Sequence, residues 1–214
     1  MDLSGSVCLI TGASSGIGAA TARLLAGRGA LVAATARRAD LLAAVGPAST
    51  HVADLSDPAD ALRVAEEVLE RFGRVDVLVN NAGVRVDGSV ADVSLDDLDR
   101  SFQVNVLSPF VLAGSLAPGM AERGAGVIAN VVAPQVSGGR RGMGAYAASK
   151  AGLESLTQTL RQEVGGGSGV AVFAFDPGWV RTDLAPDGPE DPAASAERLV
   201  AHIEEARSSR EILS

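Results

Sequence analysis

Tyr146 and Lys150 are the one tyrosine and the one lysine of the chain, and they stand four residues apart. Random placement would give that spacing in roughly one sequence in two hundred. On a helix, positions i and i+4 share a face, so the phenol and the ammonium can serve one site. A phenol with a pKa near ~10 is a poor acid–base catalyst at neutral pH until a nearby cation favours its phenolate. A compact ammonium can do that while also donating to a sugar hydroxyl, which the planar fork of arginine does not reproduce. Every other basic side chain here, histidine aside, is arginine, so lysine has been kept where its geometry matters. A surface lysine beside a packed tyrosine accounts for the pair less well.

A second group of residues suits phosphate. The apolar run Val7–Ile10 leads into Thr11-Gly12-Ala13-Ser14-Ser15-Gly16-Ile17-Gly18, and a helical stretch follows. Glycines let a backbone turn tightly and approach a pyrophosphate, while a helix start offers free N–H groups and a positive dipole. Such turns are sometimes only structural, but a first strand, an immediate helix and a long βαβ continuation form the right context.

The spacing T-G-x-x-x-G-x-G and the Tyr-x-x-x-Lys pair resemble the short-chain dehydrogenase/reductase family, and further matches fall in order between Val7 and Thr182. The resemblance implies a nicotinamide dinucleotide held by Gly12, Ser14, Ser15, Gly16 and Ile17. It implies that Asn81-Ala82-Gly83, within Asn80–Gly83, supports the sheet and backs the cofactor. The segment Ala53-Asp54-Leu55 resembles the adenine-contacting turn. Asp176-Pro177-Gly178 with Val180 and Thr182 resembles the segment that packs on nicotinamide and pyrophosphate. Asn105 resembles the helix asparagine that holds a proton-relay water, beside Tyr146 and Lys150. An NAD site places an acid at the end of the second strand, whereas an NADP site needs cations for the 2′-phosphate. Family members that use NAD carry that acid where Ala36 stands, so Ala36-Arg37-Arg38 implies NADP(H), with Arg37 the main contact and Arg38 a helper or a solvated side chain. Asp40 comes too late to replace the acid and is expected to cap the next helix.

The pattern breaks at one place. The family's catalytic serine lies thirteen residues before the tyrosine, and that position is Ala133. A methyl group cannot donate to a developing alkoxide, and losing one such donor costs ~10²–10³ in rate. Gln135 and Ser137 are loop candidates for a substitute donor. Four readings stay open: an NADP(H)-dependent ketone reductase, a non-redox enzyme (cyclase, dehydratase or isomerase), a cofactor-binding protein with little chemistry, or an alanine introduced in place of a native serine. The retained Tyr146, Lys150 and Asn105 argue against the third, and the first is placed ahead of the others.

The elements that must position these residues alternate. Strands are expected at Val7–Ile10, Leu31–Thr35, Thr50–Val52, Val75–Val79, Val127–Val131 and Val170–Phe175, with a weak last one at Glu211–Leu213. Helices are expected near Gly16–Arg28, Ala59–Phe72, Leu95–Arg123, Ala145–Val164 and Pro192–Ala206. Leu62, Ala65, Val68 and Leu69 recur at helical spacing, and Asp57-Pro58 supplies a start. This is an α/β pattern: a doubly wound parallel sheet of about seven strands in three layers, a Rossmann fold, read as one domain over residues 1–214. Gly165–Gly169 serves as a linker or, equally, as a helix-to-strand turn. Pro186, Pro189 and Pro192 stiffen a short stretch after Thr182, so any lid is small.

A formal net charge of −8 disfavours a nucleic-acid partner. Cys8 is the single cysteine and lies in an apolar run, so it reads as buried rather than nucleophilic. His51 and His202 lie outside every motif, and no metal cluster is expected. No stretch approaches the roughly 20 apolar residues of a membrane span, and the N-terminus lacks a signal-peptide pattern. A cytoplasmic setting, a small carbonyl or alcohol substrate and a possible homo-oligomer complete the expectation.

Overall fold

The computed structural model describes residues 3–133, 139–165 and 167–211. Six parallel strands form its sheet among these residues: β1 Val7–Thr11, β2 Leu31–Ala36, β3 Ser49–Val52, β4 Val77–Asn80, β5 Gly126–Val131 and β6 Val170–Phe175. The order is β3-β2-β1-β4-β5-β6, so the winding direction reverses between β1 and β4. Open α/β sheets hold their ligands beyond the carboxyl ends of the strands at such a switch point. The helices are α1 Gly16–Gly27, α2 Ala39–Ala43, α3 Pro58–Phe72, α4 Leu95–Phe102, α5 Ser108–Glu122, α6 Gly144–Gly165 and α7 Pro192–Glu211. A π-helical turn, Gln103–Leu107, joins α4 to α5 without a break.

Side-chain alternation along the strands sorts the core into two layers, as a pleated sheet buried on both faces requires. Cys8 and Ile10 face Leu25 of α1 and Leu199 and Ile203 of α7. Val7 and Leu9 face Val64 and Val68 of α3 and Leu112, Leu116 and Met120 of α5. Burial pushes the Cys8 thiol up to about 12, so it is an inert core residue. At the start of α3 the Asp57 carboxylate accepts from the N–H of Ala59, ahead of Pro58 in the first turn.

The weak last strand expected at Glu211–Leu213 falls mostly outside the described residues, which end at Glu211 in α7. Two other expectations need correction. Asp40 does not cap α2, because Arg38 is the N-cap residue and Asp40 lies inside the first turn, where a carboxylate still suits the helix dipole. The unbroken helical run Leu95–Glu122, 28 residues, is long and apolar enough by length and composition to cross a membrane, contrary to the sequence reading. In this fold its apolarity has a local cause. Leu112, Ala113, Leu116, Ala117 and Met120 are buried in the sheet layer shared with α3.

Candidate active site

The strand ends and the loops after them enclose a cleft of about 580 Å³. Its floor is the turn between β1 and α1. Gly12 and Gly16 take left-handed φ values of 66° and 55°, which glycine adopts without strain. Gly18 is needed for another reason: a Cβ there would stand 2.4 Å from both the Gly12 carbonyl oxygen and the Asn81 amide nitrogen. The glycines therefore serve close packing inside the chain as well as approach to a ligand. Asn81 completes this corner, donating from Nδ2 to the Thr11 carbonyl at 2.9 Å, while the Thr11 hydroxyl accepts the N–H groups of Asn81 and Ala82. Ser15 is the N-cap residue of α1, yet its side chain makes no capping hydrogen bond and no acid lies in the first turn. The helix start thus opens on the cleft with its N–H groups not capped by a side chain, which fits a phosphate.

The end of the cleft at Tyr146 is built on buried polar contacts. A ladder of side chains pins α6 to the sheet: Asn80 donates to Asn130 at 2.8 Å, Asn130 donates to Thr157 at 2.8 Å, and Thr157 donates to the Leu153 carbonyl at 2.7 Å. Lys150 is buried, lines the cleft and donates from Nζ to the Val131 carbonyl at 2.7 Å. Burial pushes its pKa down from 10.5 to about 8. Tyr146 lines the same cleft, and burial raises its phenol above the ordinary value; Arg85 opposes that rise and Asp176 adds to it. The net direction is opposite to the lowering of the phenol expected from Lys150. Desolvation, weakening the ammonium and disfavouring the phenolate alike, is the reason. Ala133 follows β5, is buried and faces the cleft with its methyl group. The candidate substitutes Gln135 and Ser137 lie outside the described residues.

Asn105 does not line the cleft. It sits in the π turn, fully buried, with Oδ1 accepting the Val84 N–H and Nδ2 donating to the Val84 carbonyl and to Ser149. Its amide holds both backbone groups of Val84 and the Ser149 hydroxyl, so its side chain positions the chain after Gly83 and the α6 turn that carries Lys150. Gly83 fills the gap between: a Cβ there would lie 3.4 Å from both Asn105 Oδ1 and Lys150 Nζ.

The other expected residues converge on the cleft. Gly12, Ser14, Ser15, Gly16, Ile17 and Asn81 with Ala82 and Gly83 line its floor, and Pro177, Gly178, Val180 and Thr182 line the wall after β6. Arg37, Arg38, Asp54 and Leu55 line the far end. Arg37 makes no hydrogen bond or ion pair to a described residue, whereas Arg38 lies on the glycine-rich turn and pairs with Asp183. Asp54 accepts from the Ser56 backbone N–H and hydroxyl, which hold its carboxyl below the usual range; Arg37 and Arg100 contribute further. Sequence reasoning missed Arg85, Arg100, Arg140, Met143, Trp179 and Asp183, all of which line the cleft. Adjacency was the only available signal: Arg85 is two residues past Gly83 and Asp183 directly follows Thr182. Among the described residues no group of three His, Cys, Asp or Glu side chains comes together to hold a metal.

The model of a short chain dehydrogenase family matches residues 6–193. The chain belongs to the short-chain dehydrogenase family. A 3-oxoacyl-[acyl-carrier-protein] reductase of Thermotoga maritima is 36% identical over 198 residues, covering 89% of this chain and 80% of that protein. Among solved structures, a metagenomic short-chain oxidoreductase in complex with NADP matches with a TM-score of 0.85 at 36% identity, covering 94% of this chain and 92% of the other. A 3-ketoacyl-(acyl-carrier-protein) reductase from Brucella melitensis complexed with NADH also matches with a TM-score of 0.85, at 30% identity, covering 92% of this chain and 90% of the other. Oxidoreductase chemistry with a nicotinamide cofactor is what this short-chain dehydrogenase shares with its relatives.

Proposed function

We propose that this short-chain dehydrogenase is an NADP(H)-dependent ketone reductase acting on a small molecule. One observation carries the reading: Tyr146, Lys150 and the open start of α1 share a single cleft whose far end presents Arg37 with no hydrogen bond or ion pair to a described residue. NADP(H), when bound, supplies or accepts the hydride. The residues that would hold it are Gly12–Ile17 at the phosphates, Arg37 at the 2′-phosphate, and Lys150 at the sugar. Ala36 leaves no acid at the end of β2 to take a 2′-hydroxyl. Tyr146 is the proton donor to the carbonyl oxygen, and its raised pKa keeps the phenol protonated at neutral pH, which suits reduction. Lys150 retains two N–H donors beyond the one given to Val131, enough to hold the phenol oxygen and a ribose hydroxyl.

Ala133 favours a second reading, a cyclase, dehydratase or isomerase that keeps the pocket. Of the hydroxyl side chains lining the cleft among the described residues, Ser14, Ser15 and Thr182 belong to the phosphate end, leaving Tyr146. Stopped-flow NADPH consumption over a panel of ketones, with mass analysis of products, separates the two. A reductase hampered at Ala133 gains about tenfold or more in rate in Ala133→Ser, given the ~10²–10³ value of one donor. If neither the parent nor Ala133→Ser consumes NADPH with any carbonyl compound, the reductase reading fails. A product rearranged at unchanged cofactor redox state then identifies the second.

A further inference from the structure

Between β6 and α7 a loop folds back over the mouth of the cleft, held differently at its base and at its tip. At the base, Arg198 of α7 pairs with Glu190 and donates to the Pro177 carbonyl at 2.8 Å, and the Arg181 N–H donates to the Glu190 carbonyl. At the tip, Asp183 crosses to the glycine-rich turn. Its Oδ2 accepts the Ser15 hydroxyl at 3.0 Å and pairs with Arg38 at 3.1 Å, and Arg38 also donates to Ser14 and Ser15. The N-cap residue of α1 therefore turns its hydroxyl away from its own helix and towards a carboxylate 168 residues distant. That carboxylate is the only acid touching Ser14, Ser15 or Arg38 among the described residues.

We infer that Asp183 holds the place of a cofactor phosphate, and that a phosphate-bearing dinucleotide must displace it to bind. The inference rests on the cofactor reading above. Two donors suited to phosphate, the Ser15 hydroxyl and the Arg38 guanidinium, converge on one carboxylate oxygen, and two anions cannot share them without strong repulsion. Asp183 thus sets how tightly the site takes its cofactor, and its release frees the tip of the loop while Arg198 keeps the base fixed. Trp179, the sole tryptophan, lies in this loop, lines the cleft and is 47% exposed, so its emission reports the change.

The test compares the parent with Asp183→Asn in the absence of any carbonyl substrate, by fluorescence titration with NADPH, NADH and adenosine 2′,5′-bisphosphate. Asp183→Asn should bind NADPH about threefold or more tightly than the parent, the scale of an exposed pair plus relieved repulsion. Its ligand-free Trp179 emission should already sit near that of the ligand-bound parent. A gain for NADPH and the bisphosphate but not for NADH identifies the 2′-phosphate as the group displaced; an equal gain for NADH identifies the pyrophosphate. Equal or weaker binding of all three by Asp183→Asn overturns the inference, since the carboxylate would then be clasping the cofactor or standing clear of it. Binding by neither protein overturns both this inference and the cofactor reading. Failure of carbonyl reduction alone leaves the affinity comparison intact, so the two readings fail separately.

Discussion

The two ends of the cleft are built on opposite principles. At the Tyr146 end the groups behind the phenol are buried and tied to fixed partners: Lys150 to Val131, Asn105 to Val84 and Ser149, Asn130 to Thr157. At the end lined by Arg37 and Arg38 the charges are exposed, as in the pair of Arg38 with Asp183, side chains 47% and 65% exposed. A buried polar group without its partner is costly, so the first end is rigid and changes in large steps. An exposed pair contributes only ~0.2–1 kcal/mol and is screened by salt, so the second end is adjustable. The proposed function places chemistry on the rigid end and cofactor choice on the tunable one.

The sharpest way to break this contrast is at the phenol. Tyr146→Phe removes the proposed proton donor, so turnover should fall by ~10²–10⁴ or more while NADPH titrates as in the parent. Near-normal reduction by Tyr146→Phe would transfer the chemistry away from this end altogether.

Lys150→Met should show what a rigid functional site costs the fold. The folded-state pKa, about 8, lies below the 10.5 of the free side chain. The unfolded chain therefore binds more protons between those values, and stability rises with pH across that window. Below pH ~8 the penalty is present in full, about 3 kcal/mol for such a shift, partly offset by the ~1 kcal/mol hydrogen bond to Val131. Met fits the buried stem without a charge, so the cofactor-free variant at pH 7 should melt about 2–6 °C higher while losing both turnover and cofactor affinity. A lower melting temperature by calorimetry would mean the ammonium stabilises this end.

Legibility in the sequence follows the same division. The glycine-rich turn, the Tyr146–Lys150 pair and the order of strands and helices depend on local spacing, and five of the six observed strands lie within two residues of their expected bounds, the sixth unchanged. Asp183, Arg85 and Arg140 reach the cleft through loops whose meeting depends on the packed sheet, and no spacing rule connects positions 15 and 183. Asn105 was legible as a residue, but no spacing rule showed that the π turn directs its amide at the backbone of Val84.

The smallest expected effect is at Arg37. Ala36 offers no acid to a 2′-hydroxyl, and the Arg37 guanidinium faces the cleft with no hydrogen bond or ion pair to a described residue. A charge-assisted contact to a phosphate is worth ~1.5–3 kcal/mol when well made, and solvent exposure brings this site to the lower part of that range. Arg37→Ala should therefore weaken NADPH binding by about tenfold and leave NADH binding within about twofold of the parent. Raising the salt should shrink the gap, because the term being removed is an exposed Coulombic one. Arg38→Ala should act less, since that cation already has Asp183 and two serines to satisfy it. Equal or tighter binding of NADH than NADPH by the unmodified protein would reverse the assignment. Cofactor choice would then rest on Asp54 or on the loop after β6, not on the arginines after β2.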